Sequence, residues 1–146
     1  MNNSKGYVYI MDFGMFDEHH RLIKTGKSID PKMRCGQHSK NGNKFLQGRE
    51  GQVLLAVPVS YYNQERYEDK NRAIMDNTDG FTRAFHCKDT FLVDTRIVTE
   101  VSITIKRPIP QALYNYSVRL HKNGLNFFCA NCLLTNPAAC GIIGRP

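Results

Sequence analysis

Residues 22–34 read LIKTGKSIDPKMR, an apolar pair that turns basic around one glycine and then starts a helix. Asp30 suits an N-cap, because its carboxylate accepts an orphan backbone N–H. Pro31 falls at the first helical position, where a missing N–H does no harm. The helix is expected over about 31–38, ending at the Asn41-Gly42-Asn43 cluster. Upstream, RLIKT at 21–25 has strand character, and GYVYIMD at 6–12 alternates aromatic and aliphatic residues of high β-propensity. With the polar FGMFDEHHR between them, these two strands make a hairpin.

Working outward, QVLLAVPVS at 52–60 reads as a third strand, with Pro58 weakening its end or placing it at a sheet edge. Residues 62–76 are rich in helix formers, and Asn77-Thr78-Asp79-Gly80 ends that helix. FLVD at 91–94 and IVTEVSITI at 97–105 read as strands, or as one strand and its extension. Pro108 and Pro110 break the pattern. The expected fold class is α+β: a small, mostly antiparallel three-stranded sheet flanked by helices. Residues 1–106 form the domain, and residues 107–146 a cysteine-containing C-terminal appendix too short to bury a core of its own.

The chain has 146 residues with 41% hydrophobic content, enough for one domain with an ordinary core. No apolar run approaches a membrane span of about 20 residues, and the N-terminus has no long apolar segment of a secretory signal, so a cytoplasmic setting is expected. The net charge is +7, which favours polyanionic partners. Its placement says more. Between Arg21 and Arg49 eight Lys and Arg residues face the single acid Asp30. Lys27, Lys32, His38, Lys40 and Lys44 are therefore the candidate nucleic-acid contacts. A plainly solvated basic face is the competing reading.

A strand tyrosine, a Lys-Thr-Gly turn and then a helix bearing arginine resemble the GIY-YIG endonuclease superfamily. Tyr7-Val8-Tyr9 matches the first triplet, with Tyr9 in the place of the family tyrosine and Tyr7 where glycine is usual. Lys24-Thr25-Gly26 matches the second, departing from Tyr-Ile-Gly toward the phage-associated branch with a Lys-x-Gly triplet. Arg34, eight residues after Gly26, matches the helical arginine. The metal-binding glutamate would be Glu68 or, as the lesser choice, Glu65. The likeness covers about residues 6–94, and Lys88-Asp89-Thr90-Phe91 corresponds weakly to a closing acidic-aromatic strand.

The resemblance implies a DNA endonuclease that hydrolyses phosphodiester bonds with Mg²⁺ or Mn²⁺. It cuts one strand per site, so a homodimer or a second domain would cut both; RNA stays open as a substrate. The residues suit that chemistry. Tyr9 would hold or deprotonate the attacking water, although a phenol titrates near pH 10 and needs neighbours such as Lys24 to lower it. The planar fork of Arg34 fits two phosphate oxygens. One carboxylate from Glu68 suffices for a Mg²⁺ that keeps waters and borrows substrate phosphates. Each residue also has a plain reading: Tyr9 a core tyrosine, Lys24 a solvent-facing strand lysine, Glu68 an i,i+4 partner of Arg72, and His20 and His38 surface histidines. The alternative function is a catalytically inactive nucleic-acid- or nucleotide-binding protein of the same fold, a class that includes virus-encoded factors acting on a host pathway. A structural protein with a basic face is the third reading.

Five cysteines, Cys35, Cys87, Cys129, Cys132 and Cys140, do not suggest a disulfide framework in a chain without a signal peptide. Cys129-x₂-Cys132-x₇-Cys140 with His121 as a fourth ligand would make a structural Zn²⁺ site. Free reduced thiols and redox chemistry are the alternatives.

Overall fold

The computed structural model describes residues 5–106, 113–121 and 124–129. The fold is α+β with antiparallel sheets. Strands β1 (Lys5–Met15), β2 (His20–Ser28), β3 (Gln52–Ser60), β4 (Phe81–Arg83) and β5 (Thr90–Asp94) form one sheet in the order β3-β1-β2-β5-β4. Strands β6 (Glu100–Lys106), β7 (Leu113–His121) and β8 (Gly124–Cys129) form a second sheet in chain order. Helix α1 (Pro31–Asn41) follows β2. A 3₁₀ turn, Tyr61–Asn63, leads from β3 into helix α2 (Gln64–Asp76).

The expected hairpin is present, with Tyr9 opposite Gly26 and Met11 opposite Lys24. Its far end is clamped by the buried Asp12 carboxylate, which accepts from Arg21 Nε at 2.9 Å and from Gly14 N at 3.0 Å. Gly14 itself has φ of +89°, a conformation that glycine adopts without a Cβ penalty. Asp30 caps α1, its Oδ1 accepting from Met33 N at 3.1 Å, with Pro31 in the first turn. Strand β3 is an edge, so Pro58 removes no ladder bond on its free side.

Two expectations need correction. The first sheet has five strands rather than three, because the 3-residue β4 is too short to carry an alternation and β5 docks on β2. The C-terminal portion is not an appendix to a finished domain. Glu100 to Lys106 pair with residues 119 down to 113, so the expected boundary after residue 106 falls between two hydrogen-bonded strands.

Period-two alternation divides the core. Tyr9, Met11 and Phe13 of β1, with Leu22, Val53 and Ala56, pack against Cys35 of α1 and Leu46. Val8, Ile10, Ile23, Leu55 and Phe91 face the opposite way, onto Met75 of α2 and onto Ile103, Tyr116, Val118 and Phe127 of the second sheet. Between Leu55 and Val53 the ladder with β1 skips Leu54, a bulge that lets Val53 and Ala56 share one face. Helix α2 is thus held between the first sheet and β6. The buried Asn71 fastens it there, its Oδ1 accepting from Thr104 N at 3.1 Å. Asn71→Ala leaves that N–H unpaired and should lower stability by about 1–3 kcal/mol, measured by urea denaturation.

Candidate active site

Strand β2 outruns β5, whose ladder with it stops at Lys24–Thr90. Beyond that point α1 and α2 approach the last residues of β2 from opposite faces of the sheet. Tyr9, Lys24, Arg34 and Glu68 meet there. Tyr9 is 2% exposed and lies across Gly26, where a Cβ would sit 2.6 Å from the phenolic oxygen and 2.8 Å from Cζ. The expected Lys-Thr-Gly turn is instead part of strand β2, and its glycine is required there by close approach of a side chain. Thr25 Oγ1 donates to the Tyr9 carbonyl at 3.3 Å.

Lys24 is not a solvent-facing lysine. It is buried, with Nζ 2.5 Å from Asp89 Oδ1 and 3.4 Å from the Thr25 carbonyl. Asp89 is placed by its own backbone, whose carbonyl accepts from Thr25 N at 3.1 Å. Nor is His38 a surface histidine: it is 9% exposed, with Nε2 3.2 Å from Tyr9 Oη. Burial, then the positive charges of Lys24 and Arg34, push His38 down to about 4. A neutral ring with its proton on Nδ1 accepts from the phenol through Nε2.

Tyr9 moves opposite to the direction its expected role demands. Burial, followed by the negative charge of Asp89, raises the phenol well above its usual range; Arg34 only partly offsets them. The hydroxyl stays protonated in the free protein. Glu68 is half-buried and its carboxyl is pushed up, chiefly by burial and also by Asp89, against the opposing pull of Lys27, Arg72 and Lys24. It does not pair with Arg72, which reaches Asp69 at 2.6 Å. Glu65 is exposed. A half-buried carboxylate whose charge is under-compensated, near a second carboxylate, suits a divalent cation. Among the described residues no group of three or more His, Cys, Asp or Glu gathers as a metal site, and a Mg²⁺ completed by waters and phosphates does not need one.

Arg34 is exposed, donating to Gln37 Oε1 at 3.2 Å. It lines a hollow of roughly 270 Å³ with Lys27, Ser28, Met33 and Gln37. Lys40 and Lys44 are exposed at the end of α1 and just beyond it. Lys32 is also exposed, on the other flank of α1, beside a separate groove of roughly 690 Å³ that contains none of the four convergent residues. His20 lies at the distant end of β2, bound to Asp17 at 2.9 Å. Asp89 is the residue that reading the sequence undervalued; its signal was a lone acid beside a strand start.

The zinc set does not assemble as expected. His121 pairs with Gly124 and Cys129 with Tyr116 in the β7–β8 ladder. That leaves the two about 17 Å apart along the strands, too far for one tetrahedral ion. His121 Nε2 instead lies 3.1 Å from Asn126 Nδ2. Cys132 and Cys140 fall outside the described residues.

The depressed His38 makes a prediction. A histidine neutral in the fold but protonated in the unfolded chain stabilises above about pH 6.5 and loses that contribution as pH falls toward 4. Wild type should lose on the order of 2 kcal/mol across that window relative to His38→Asn, measured by urea denaturation. Equal acid sensitivity in the two proteins would contradict the burial argument.

No helix among the described residues is long and apolar enough to cross a membrane. Compared with known proteins, the chain matches no family model, no curated protein and no solved structure.

Proposed function

We propose that the protein is a metal-dependent DNA endonuclease of GIY-YIG type. The observation that carries this reading is the convergence of a phenol, a guanidinium, a buried lysine and a half-buried carboxyl at the free end of β2. Arg34 and Lys27 border a hollow that fits a phosphate, and the guanidinium fork would grip its oxygens. Glu68, with Asp89 beside it, would hold Mg²⁺ or Mn²⁺; when bound, the cation neutralises charge developing on the phosphate oxygens.

Tyr9 acts in this scheme as a relay. The attacking water donates to Tyr9 Oη, whose own proton points at His38 Nε2. As the water loses a proton to the phenol, the phenol passes its proton to the imidazole. His38 is a weak base in the free protein because Lys24 and Arg34 add to its burial. A phosphate drawing on those cations would raise its basicity at the moment it is needed.

The raised phenol and the depressed imidazole also favour a second reading, nucleic-acid binding without cleavage. A supercoiled-plasmid nicking assay separates the two. Cleavage with Mg²⁺ or Mn²⁺, abolished by chelation, supports the enzyme. Arg34→Ala should then cut at least about 100-fold more slowly, the scale seen when one preorganised donor to a developing oxyanion is removed. Salt-sensitive binding without nicking supports the second reading.

A further inference from the structure

Next to the convergent residues, the turn between β4 and β5 presents side chains that the proposed chemistry does not use. Phe85 is 69% exposed, and the exposed His86 ring lies tilted against it, with centroids 3.8 Å apart. An apolar ring left in water beside a reactive centre invites the question of what covers it.

The turn is rigidly presented. Ala84 N donates to the Thr90 carbonyl at 2.9 Å, and Cys87 N donates to the Ala84 carbonyl at 2.9 Å. His86 has φ of +61°, the left-handed region that a side chain enters only when its surroundings impose it. The Ala84–Thr90 bond closes a loop over residues 85–89, with Phe85 its first residue and Asp89, the partner of Lys24, its last. Lysines lie near the turn: Lys88 is exposed on it and Lys44 is close enough to act on Cys87, while Asp89, which also acts on Cys87, is paired with the buried Lys24.

Aromatic faces framed by lysines form a stacking platform for nucleobases, and a projecting phenylalanine is a common wedge at a base step. We infer that the turn Phe85–Lys88 stacks an unpaired base next to the phosphate to be cut, so that the preferred substrate is nucleic acid with an unstacked nucleotide, such as a single-base bulge, over fully paired duplex. This deepens the endonuclease reading and rests on nucleic acid being the ligand. The exposed Lys44 and Lys88 favour that occupant over an apolar protein segment.

The test uses binding in EDTA, so that cleavage plays no part. Fluorescence anisotropy is measured with a labelled 20-mer duplex that carries one bulged nucleotide, and with its fully paired counterpart. The bulged duplex should bind at least about ten-fold tighter. Phe85→Ala should lose about five- to one-hundred-fold on the bulged duplex, the range for one base stacked on an aromatic side chain. Its loss on paired duplex should stay under about two-fold, as expected where phosphate contacts carry the affinity. Phe16→Ala, at the opposite end of the β1–β2 hairpin, should change neither.

The chain has no tryptophan, so Phe85→Trp installs a sole indole at the turn. Its emission should be quenched by bulged duplex and little affected by paired duplex. Equal losses on both duplexes, no bulge preference, an effect of Phe16→Ala matching that of Phe85→Ala, or an indole that answers only to anionic vesicles would each overturn the proposal. Failure of nicking with the bulge preference intact would sink the endonuclease reading alone. Nicking in which Phe85→Ala is indifferent to the bulge would sink this one alone.

Discussion

Glu68→Gln should reduce Mg²⁺-dependent nicking by about 100-fold or more while making the protein harder to unfold at neutral pH. The two effects have one cause. Burial and the neighbouring Asp89 hold the carboxyl above its usual range, so the ionised form is under-compensated in the free protein. A carboxyl raised by folding contributes its stability fully below the unfolded value, near pH 4.3, and loses it as pH rises through the folded value. At pH 7 wild type therefore carries an unfavourable charge that the isosteric amide lacks. The gain in Tm should be clear at pH 7 and vanish below about pH 4. Thermal scans at the two pH values, run beside the nicking assay, check both halves. Undiminished cleavage would remove Glu68 from the site, and a loss of stability at pH 7 would show that the carboxylate already has a partner.

The second large effect concerns Gly26. Gly26→Ala would place a methyl 2.6 Å from Tyr9 Oη and 2.8 Å from Cζ, inside any tolerable contact. Tyr9 is buried, and its ring is hemmed by the α1 side of the core, so it has little room to yield. Overpacking of this kind costs about 1–3 kcal/mol. The activity should suffer more than the fold, because the ring can escape only by giving up the 3.2 Å contact with His38. Nicking should fall at least about ten-fold even at temperatures where circular dichroism shows the variant fully folded, a loss in line with a misplaced reacting group. Tyr9→Phe keeps the ring and removes the hydroxyl. If Gly26→Ala matches wild type while Tyr9→Phe is dead, the crowding argument fails although the phenol matters.

The N-terminal half was readable because its signals are local. Asp30 and Pro31 announce a helix start through the hydrogen bond that the cap must make, and the alternation from Tyr7 to Met11 announces a strand through its two faces. Strand β4 carried no such signal. Its three residues are strand only because Phe81 to Arg83 find β5 after a turn. Likewise, pairing of β6 with β7 is a choice between distant partners that no window of sequence records. At the site, residue types were visible but environments were not. Lys24 looked solvent-facing because nothing local says that Asp89, 65 positions later, closes over it. The directions of Tyr9 and His38 depend on burial, which arises from packing α1 against β1 and β3 and not from either residue's neighbours in the chain.

Helix α2 belongs to two sheets at once. One side offers Glu68 to the free end of β2, while Asn71, less than one turn later, is bolted to β6. The position of the carboxylate is thus referenced to strands that lie well after it in the chain. Trimming the protein back to its first 106 residues would remove β7, the strand that β6 pairs with among the described residues, and strip the backing from that helix. A shortened fragment meant to test the proposed cleavage must therefore keep the C-terminal hairpin, although it lies outside the proposed site.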